Sequence, residues 1–451
     1  MGEMASFPAA IAAAFLLCSL FLHHVTALDN GLARLPVRGV SSWCAEGLCA
    51  WDRCWDSEFR SLADAMVTSG LKDAGYEFLH IDDCWVAGRD NRTNTLFPDP
   101  TRFPHGMKDL ADYIHSKGLK AGIYSSFGTH PCTHGQYPRE HEDVPGSYGH
   151  TTQDAQTFAD WGYDYVKIDA CFTNKPDGTP INATAAYIAW SKALNATGRP
   201  IYYLVRGYHN TNSSDIPDEW DGLHPYVNAY RLFGDHHDNF AQLESEIEAN
   251  ALASLHSEPG SWGDWDFIIT GGQGCNSTKG HSTPGLRCPG MTSVEYYTEF
   301  SIWVVAASPL MVDADIRNMS ALQRDILLHD EMLAIHHDAA ARGGSRIGAA
   351  VSRGCPPGYC QVWSKPLAGN ASAVLLYNRD DVARTLTLPF SLLGYGAGAT
   401  GAEAGEQPPR PPKLHLRDVW ARQDLGVFHS TWTTTSPVPP HGVVVLRVEK
   451  R

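Results

Sequence analysis

The sequence predicts a (β/α)8 barrel followed by a small antiparallel β-domain, and three observations predict it. From about Arg38 to Ile316, short apolar β-type runs alternate with amphipathic segments. After about His337 the β-type runs follow one another without helical segments between them. Several of the earlier runs end at or just before a carboxylate, as Tyr165-Val166-Lys167-Ile168-Asp169 does, and the C-terminal ends of barrel strands are where such folds keep their chemistry.

The strand candidates of the barrel are, in order, Gly39–Trp43, Phe78–Asp82, Lys120–Ser125, Tyr165–Asp169, Pro200–Val205, Asn228–Leu232, Asp266–Thr270 and Pro309–Val312. Each is a short run of β-forming residues. Between them lie segments with helical spacing of apolar positions: Ser57–Ala74, Met107–Lys117, Thr152–Trp161, Ala183–Asn195 and Phe240–Ser254. Alternation of this kind specifies a parallel sheet, and eight strands close it into a barrel. In the second domain, Ala349–Val351, Cys360–Lys365, Ala373–Asn378, Thr385–Leu388 and Val443–Val448 are the strand candidates. The expected division is a signal peptide at 1–27, a barrel at 28–337 and a β-domain at 338–451, with a flexible Gly/Pro-rich loop at 394–412.

The 451 residues exceed one ordinary core, and 43% hydrophobic with 19% charged residues describes a folded protein. A net charge of -15 excludes the basic footprint that nucleic acids and anionic membranes require. The apolar run Pro8–Leu22 is too short for a comfortable span and is followed by Val25-Thr26-Ala27, as at a signal cleavage site. Outside Cys18 there remain ten cysteines without zinc-site spacing, so disulfides are expected. Seven N-x-S/T sequons begin at Asn91, Asn182, Asn195, Asn212, Asn276, Asn318 and Asn370. Together these predict passage through a secretory pathway, to an extracellular, vacuolar or lysosomal destination.

Side chains alternate along a strand, so Lys167 and Asp169 share one face. On that segment alone a structural ion pair is as good an account as catalysis. Asp82, Asp83, Asp235 and Asp266 also stand at or just after strand ends, and carboxylates converging on one rim need donors such as sugar hydroxyls or Arg and Lys. Trp43, Trp85 and Trp262 stand nearby and suit the apolar face of a pyranose, although core packing accounts for any one of them. His236-His237 and His336-His337 lack zinc-site spacing, and no nucleotide or pyridoxal motif occurs, so neither a metal nor a cofactor is expected.

Six stretches carry a family resemblance: Ile81-Asp82-Asp83-Cys84-Trp85, Arg102-Phe103-Pro104-His105-Gly106-Met107, Lys117–Tyr124, Asp154–Cys171, Arg417-Asp418-Val419-Trp420 and Pro440-His441-Gly442-Val443-Val444. In them the chain resembles the retaining α-galactosidases and α-N-acetylgalactosaminidases of glycoside hydrolase family 27, from about Leu32 to Val448. The resemblance implies a β-sandwich as the second domain, Asp169 as nucleophile and Asp235, in Arg231-Leu232-Phe233-Gly234-Asp235, as acid/base. Retention needs such carboxyls about 5–5.5 Å apart. Asp169 should be ionised, with Lys167 lowering its pKa, and Asp235 protonated at the start of the cycle. It further implies a clamp on galactose O4 and O6 at Asp82 and Asp83, and sugar contacts at Trp43, Tyr124, Lys167, Arg231 and Asp266. The partner implied is an α-galactoside, and homodimers occur among relatives. Cys132–Cys171 matches a bridge lining the pocket. For the other cysteines the expectation is Cys49–Cys84, Cys44–Cys54, Cys275–Cys288 and Cys355–Cys360, with Cys44 and Cys49 interchangeable.

The chain departs from the family at Leu204-Val205-Arg206-Gly207-Tyr208, where Arg206 replaces the acidic or small residue that reads the sugar's C2 substituent. Three functions are therefore carried forward. The first is a retaining α-galactosidase. The second is a glycosidase of altered specificity, for α-N-acetylgalactosamine or for an anionic galactoside bound through Arg206. The third is a non-catalytic carbohydrate-binding protein. A salt bridge from Arg206 to a rim carboxylate stands as the structural alternative to substrate recognition.

Overall fold

A computed structural model describes residues 27–43, 54–135, 143–206, 222–251, 257–272, 290–394 and 413–451. The signal segment other than Ala27, Cys44, Cys49, Cys275, Cys288 and the loop beyond Gly394 lie outside the described residues.

The barrel strands are β1 Arg38–Ser41, β2 Phe78–Ile81, β3 Lys120–Ser126, β4 Tyr165–Asp169, β5 Tyr202–Val205, β6 Ala229–Arg231, β7 Trp262–Asp264 and β8 Leu310–Val312. They pair in parallel in the order β8-β1-β2-β3-β4-β5-β6-β7. A parallel bridge between Ile268 and Val312 joins the remaining gap and closes the ring.

Side-chain alternation then sorts each strand. Leu79 and Ile81, Ala121 and Ile123, Val166 and Ile168, and Tyr203 and Val205 join the large core under the helices. The alternate residues point inward. Phe78, Tyr165 and Tyr202 meet on the barrel floor, with ring centroids 5.0–5.9 Å apart, beside Trp262 and Met311. Gly122 makes room there, because a Cβ would lie 2.9 Å from the His80 ring and 3.0 Å from that of Tyr165. Two residues further along each strand, the same parity delivers the chemistry: Asp82 above His80, Tyr124 above Gly122, Asp169 above Lys167 and Arg206 above Leu204.

The seventh strand differs from expectation. The ladder uses Trp262–Asp264 rather than Asp266–Thr270. Asp266 has φ 81, in the left-handed region that a non-glycine residue seldom enters, so the chain turns there and regains only the bridge at Ile268. The first helix, α1 Asp56–Thr68, also ends before the predicted Ala74; Gly70 follows at φ 89. The helices α2 Gly106–Ser116, α3 Thr151–Asp160, α4 Ala183–Ala196 and α5 Phe240–Ala249 fall close to their expected segments.

The second domain holds a six-stranded antiparallel sheet in the spatial order Ser345–Ala349, Cys360–Leu367, Ala371–Asn378, Val443–Lys450, Lys413–Asp418, Gln423–His429. Thr387–Pro389 and Thr431–Thr433 pair separately. Val362, Val374, Leu416 and Leu446 of the sheet share a core with Leu388, Phe390 and Trp432. Helix α6, Ser293–Ala306, is buried on nearly every side because it lies between the two domains. Thr292 caps it reciprocally with Glu295, and Trp420 Nε1 donates to Ser301 Oγ at 2.9 Å across the junction.

The disulfides correct part of the expected pairing. Cys54 bonds Cys84, so neither Cys49–Cys84 nor Cys44–Cys54 forms. Cys54 and Cys84 are both buried with Cα atoms 6.0 Å apart, a neighbourhood created by folding that their 30-residue separation does not announce. Cys132–Cys171 and Cys355–Cys360 pair as expected.

Candidate active site

A pocket opens at the C-terminal ends of the barrel strands, the place such folds keep their chemistry. Trp43, Asp82, Asp83, Tyr124, Lys167, Asp169, Arg206, Arg231, Asp235 and Asp266 all line it. Of the three candidate tryptophans only Trp43 does so. Trp85 packs under α3 against Phe158 and Trp161, and Trp262 lies in the floor, donating to Ala33 O at 2.7 Å. Core packing accounts for both.

Asp169 sits at the end of β4 with 8% of its side chain exposed. Its Oδ2 accepts from the Tyr124 hydroxyl at 3.3 Å and its Oδ1 from the Ala170 N–H at 2.8 Å. Lys167 donates to Asp82 Oδ2 at 2.8 Å. Burial favours the neutral forms of both groups, but their mutual attraction prevails: Asp82 lies below the ordinary carboxylate range and Lys167 above the ordinary amine. Asp83 is held by Thr133, through the backbone N–H at 2.9 Å and the hydroxyl at 3.0 Å.

Arg231 is buried and reaches three carboxylates: Asp235 Oδ1 at 3.1 Å, Asp264 Oδ2 at 3.5 Å, and Asp266. Asp266 also accepts the His236 N–H at 2.8 Å, which holds its left-handed backbone in place. Arg206 lies between the two candidate catalytic groups. One guanidinium nitrogen is 3.3 Å from Asp169 Oδ1 and the other is 3.3 Å from Asp235 Oδ2. The salt-bridge alternative for Arg206 is thus the contact made, and it is made to both carboxylates at once.

The electrostatics of Asp235 reverse the expectation of a proton resting there. Its place at the pocket mouth raises its pKa by removing water, but Arg206 and Arg231 outweigh this and bring it down to about 2. Water reaches 52% of the side chain and screens part of that attraction; the direction is fixed by the two guanidinium contacts.

Other residues of the site escaped the sequence. His236, which the sequence marks only as lacking zinc-site spacing, is buried between Glu246 at 2.7 Å and Glu299 at 3.0 Å. Burial opposes its charge, but the two glutamates prevail and raise its pKa well above the ordinary value. Phe267 also lines the pocket, its ring 4.8 Å from Lys167 Nζ and 5.7 Å from the Arg231 guanidinium. His236 had one signal, its position next to Asp235; Thr133 and Phe267 had none.

Comparison with known proteins follows this geometry closely. The family model described as alpha galactosidase A matches residues 49–338, and that of the alpha galactosidase C-terminal beta sandwich domain matches 357–448. The chain belongs to the alpha-galactosidase A family. It is 32% identical over 416 residues to an alpha-galactosidase of Oryza sativa subsp. japonica, covering 92% of this chain and 85% of the relative. It is 31% identical over 438 residues to alpha-galactosidase A of Homo sapiens, covering 94% and 90%. Among solved structures, alpha-galactosidase I from Mortierella vinacea superposes with a TM-score of 0.75 at 29% identity, over 93% of this chain and 98% of that one. The matched spans take in both the barrel and the C-terminal domain of this chain, so the likeness extends over the whole architecture around the pocket.

Proposed function

We propose that the protein is a retaining α-galactosidase that removes terminal α-linked galactose by double displacement, with Asp169 as nucleophile and Asp235 as acid/base. One observation carries the assignment: these two carboxylates face each other across one pocket, close enough to share a single guanidinium. In the first step an Asp169 oxygen bonds to the anomeric carbon while the glycosidic C–O bond breaks, and Asp235 gives its proton to the departing oxygen. Water then loses a proton to Asp235 and attacks the same carbon, releasing Asp169. Asp82 and Asp83, both buried, offer acceptor oxygens to the galactose hydroxyls, which favours galactose over an epimer that misplaces one.

Five carboxylates line the pocket against Lys167, Arg206 and Arg231, and Arg206 is already matched to two of them. That balance works against an anionic galactoside and favours a neutral one. Passage through a secretory pathway is supported by the bridges Cys54–Cys84, Cys132–Cys171 and Cys355–Cys360, which need oxidising surroundings. Among the described residues no helix is long and apolar enough to cross a membrane.

Hydrolysis of an aryl α-galactoside, its N-acetylgalactosamine counterpart and a sulfated galactoside, with Asp169→Asn as control, tests the proposal. Turnover of the plain galactoside by the wild type and not by the variant is expected. Turnover of the sulfated sugar alone would transfer the assignment to the altered specificity, and equal inertness of both proteins would leave a binding protein.

A further inference from the structure

We propose that Arg206 is a displaceable clamp: it bridges Asp169 and Asp235 in the free enzyme, and a sugar entering between them withdraws it, so that Asp235 takes up from solvent the proton it gives to the leaving oxygen. This rests on the assignment of Asp235 as acid/base.

General acid catalysis requires a proton on Asp235 before the glycosidic bond breaks. In the free enzyme both oxygens already face guanidinium groups. Oδ1 faces Arg231 at 3.1 Å, and Arg206 reaches both Oδ1 and Oδ2 at 3.3 Å. A guanidinium does not give up its charge, so a proton and both cations cannot share the carboxyl cheaply. Both guanidinium contacts lower the pKa of Asp235, so its ionised form prevails in the free enzyme at pH 5.

One cation must therefore withdraw, and the packing selects which. Arg231 has 3% of its side chain exposed and is tied to Asp264 and Asp266; moving it would strand two buried carboxylates. Lys167 is tied to Asp82 at 2.8 Å, and His237, whose pKa burial lowers, is not among the residues lining the pocket. Arg206 has 19% exposure at the end of β5, and its guanidinium occupies the gap between nucleophile and acid/base. The reacting carbon has to occupy that same gap. Sugar and guanidinium compete for it, which couples binding to proton uptake. Once the clamp is gone, Asp169 and Asp266 oppose the ionised form of Asp235 with one less cation against them.

The test is the pH dependence of phenyl α-galactoside hydrolysis, whose leaving group needs the acid, for the full chain and for Arg206→Gln and Arg206→Lys. The alkaline limb of kcat/KM reports the free enzyme and that of kcat the complex. In the wild type the kcat limb should lie above the kcat/KM limb, a result that needs no variant. Arg206→Gln should move the kcat/KM limb up by about one pH unit or more, a tenfold gain in the fraction holding the proton at a given alkaline pH. Arg206→Lys, with charge but no two-armed reach, should fall between. Coincident kcat and kcat/KM limbs in the wild type, or an Arg206→Gln limb superimposed on it with only KM raised equally at every pH, would overturn the clamp. Azide rescue of Asp235→Ala checks the acid/base assignment separately: its absence would sink that assignment whatever the Arg206 profiles show.

Discussion

Replacing Lys167 with Met isolates the electrostatics around Asp82 in the proposed sugar clamp. The Lys167 Nζ lies 2.8 Å from Asp82 Oδ2, with the two side chains 7% and 3% exposed. Met keeps about the length of the side chain, so lost packing is a minor term, while the contacts of the ammonium with the rings of Phe267 and Tyr124 go with the charge. What remains is an unpaired carboxylate beside His80, whose pKa burial pushes down to about 4 and which is therefore neutral at pH 7. Removing one partner of a buried pair costs about 3–5 kcal/mol; because Asp82 keeps the Asp83 N–H at 2.7 Å, about 3 kcal/mol is expected at neutral pH. The pH dependence follows from the signs. In the wild type Asp82 is held below its ordinary value of 3.8, so its ionised form stabilises the fold above that value and the gain is lost as pH falls through its folded pKa. In the variant burial is unopposed, Asp82 moves above 3.8, and its ionisation becomes a penalty at neutral pH. Urea unfolding at pH 7 and pH 4, read as a shift in midpoint at constant m, should give a difference at pH 4 less than half of that at pH 7. Equal differences at the two pH values would refute the reasoning, as would a loss below about 1 kcal/mol at pH 7.

Thr133→Val removes one of the two bonds that fix Asp83 and leaves the backbone N–H; KM for an aryl galactoside should rise about 3–10-fold with kcat less affected, and an unchanged KM would show that Asp83 needs no bracing. His236→Gln leaves Glu246 and Glu299 facing each other without a cation and should cost about 3–5 kcal/mol in chemical denaturation near pH 6. The His236 pKa is raised, so its stabilisation is complete below the ordinary 6.5 and lost as pH rises through the raised value; the gap between wild type and variant should narrow in alkali, and a constant gap would contradict the charged state assigned to His236.

The barrel was legible because one rule, inward and outward alternation, both packs its floor and aims its rim. Tyr165 and Asp169 share a face for the same reason, and finding the strand located the carboxylate. Asp266 was legible as a site residue but misplaced in its element, because nothing in Trp265-Asp266-Phe267 announces a left-handed backbone sustained by contacts with Arg231, His236, Asp264 and Trp303. The strand Gln423–His429 went unnoticed because it lies at the sheet edge with little of it buried, so it has no apolar alternation to display. Cys54–Cys84 and the double contact of Arg206 are meetings in space between loops of unrelated spacing. Resemblance could carry Asp169 and Asp235 to their positions, but not Arg206, which departs from the pattern.

The stereochemistry of the first product tests the central claim most directly. Proton NMR of an aryl α-galactoside hydrolysed by the protein should show α-galactose before mutarotation, because displacement at Asp169 followed by displacement by water inverts the anomeric carbon twice. First appearance of β-galactose would mean a single displacement, and would remove Asp169 from the role of nucleophile.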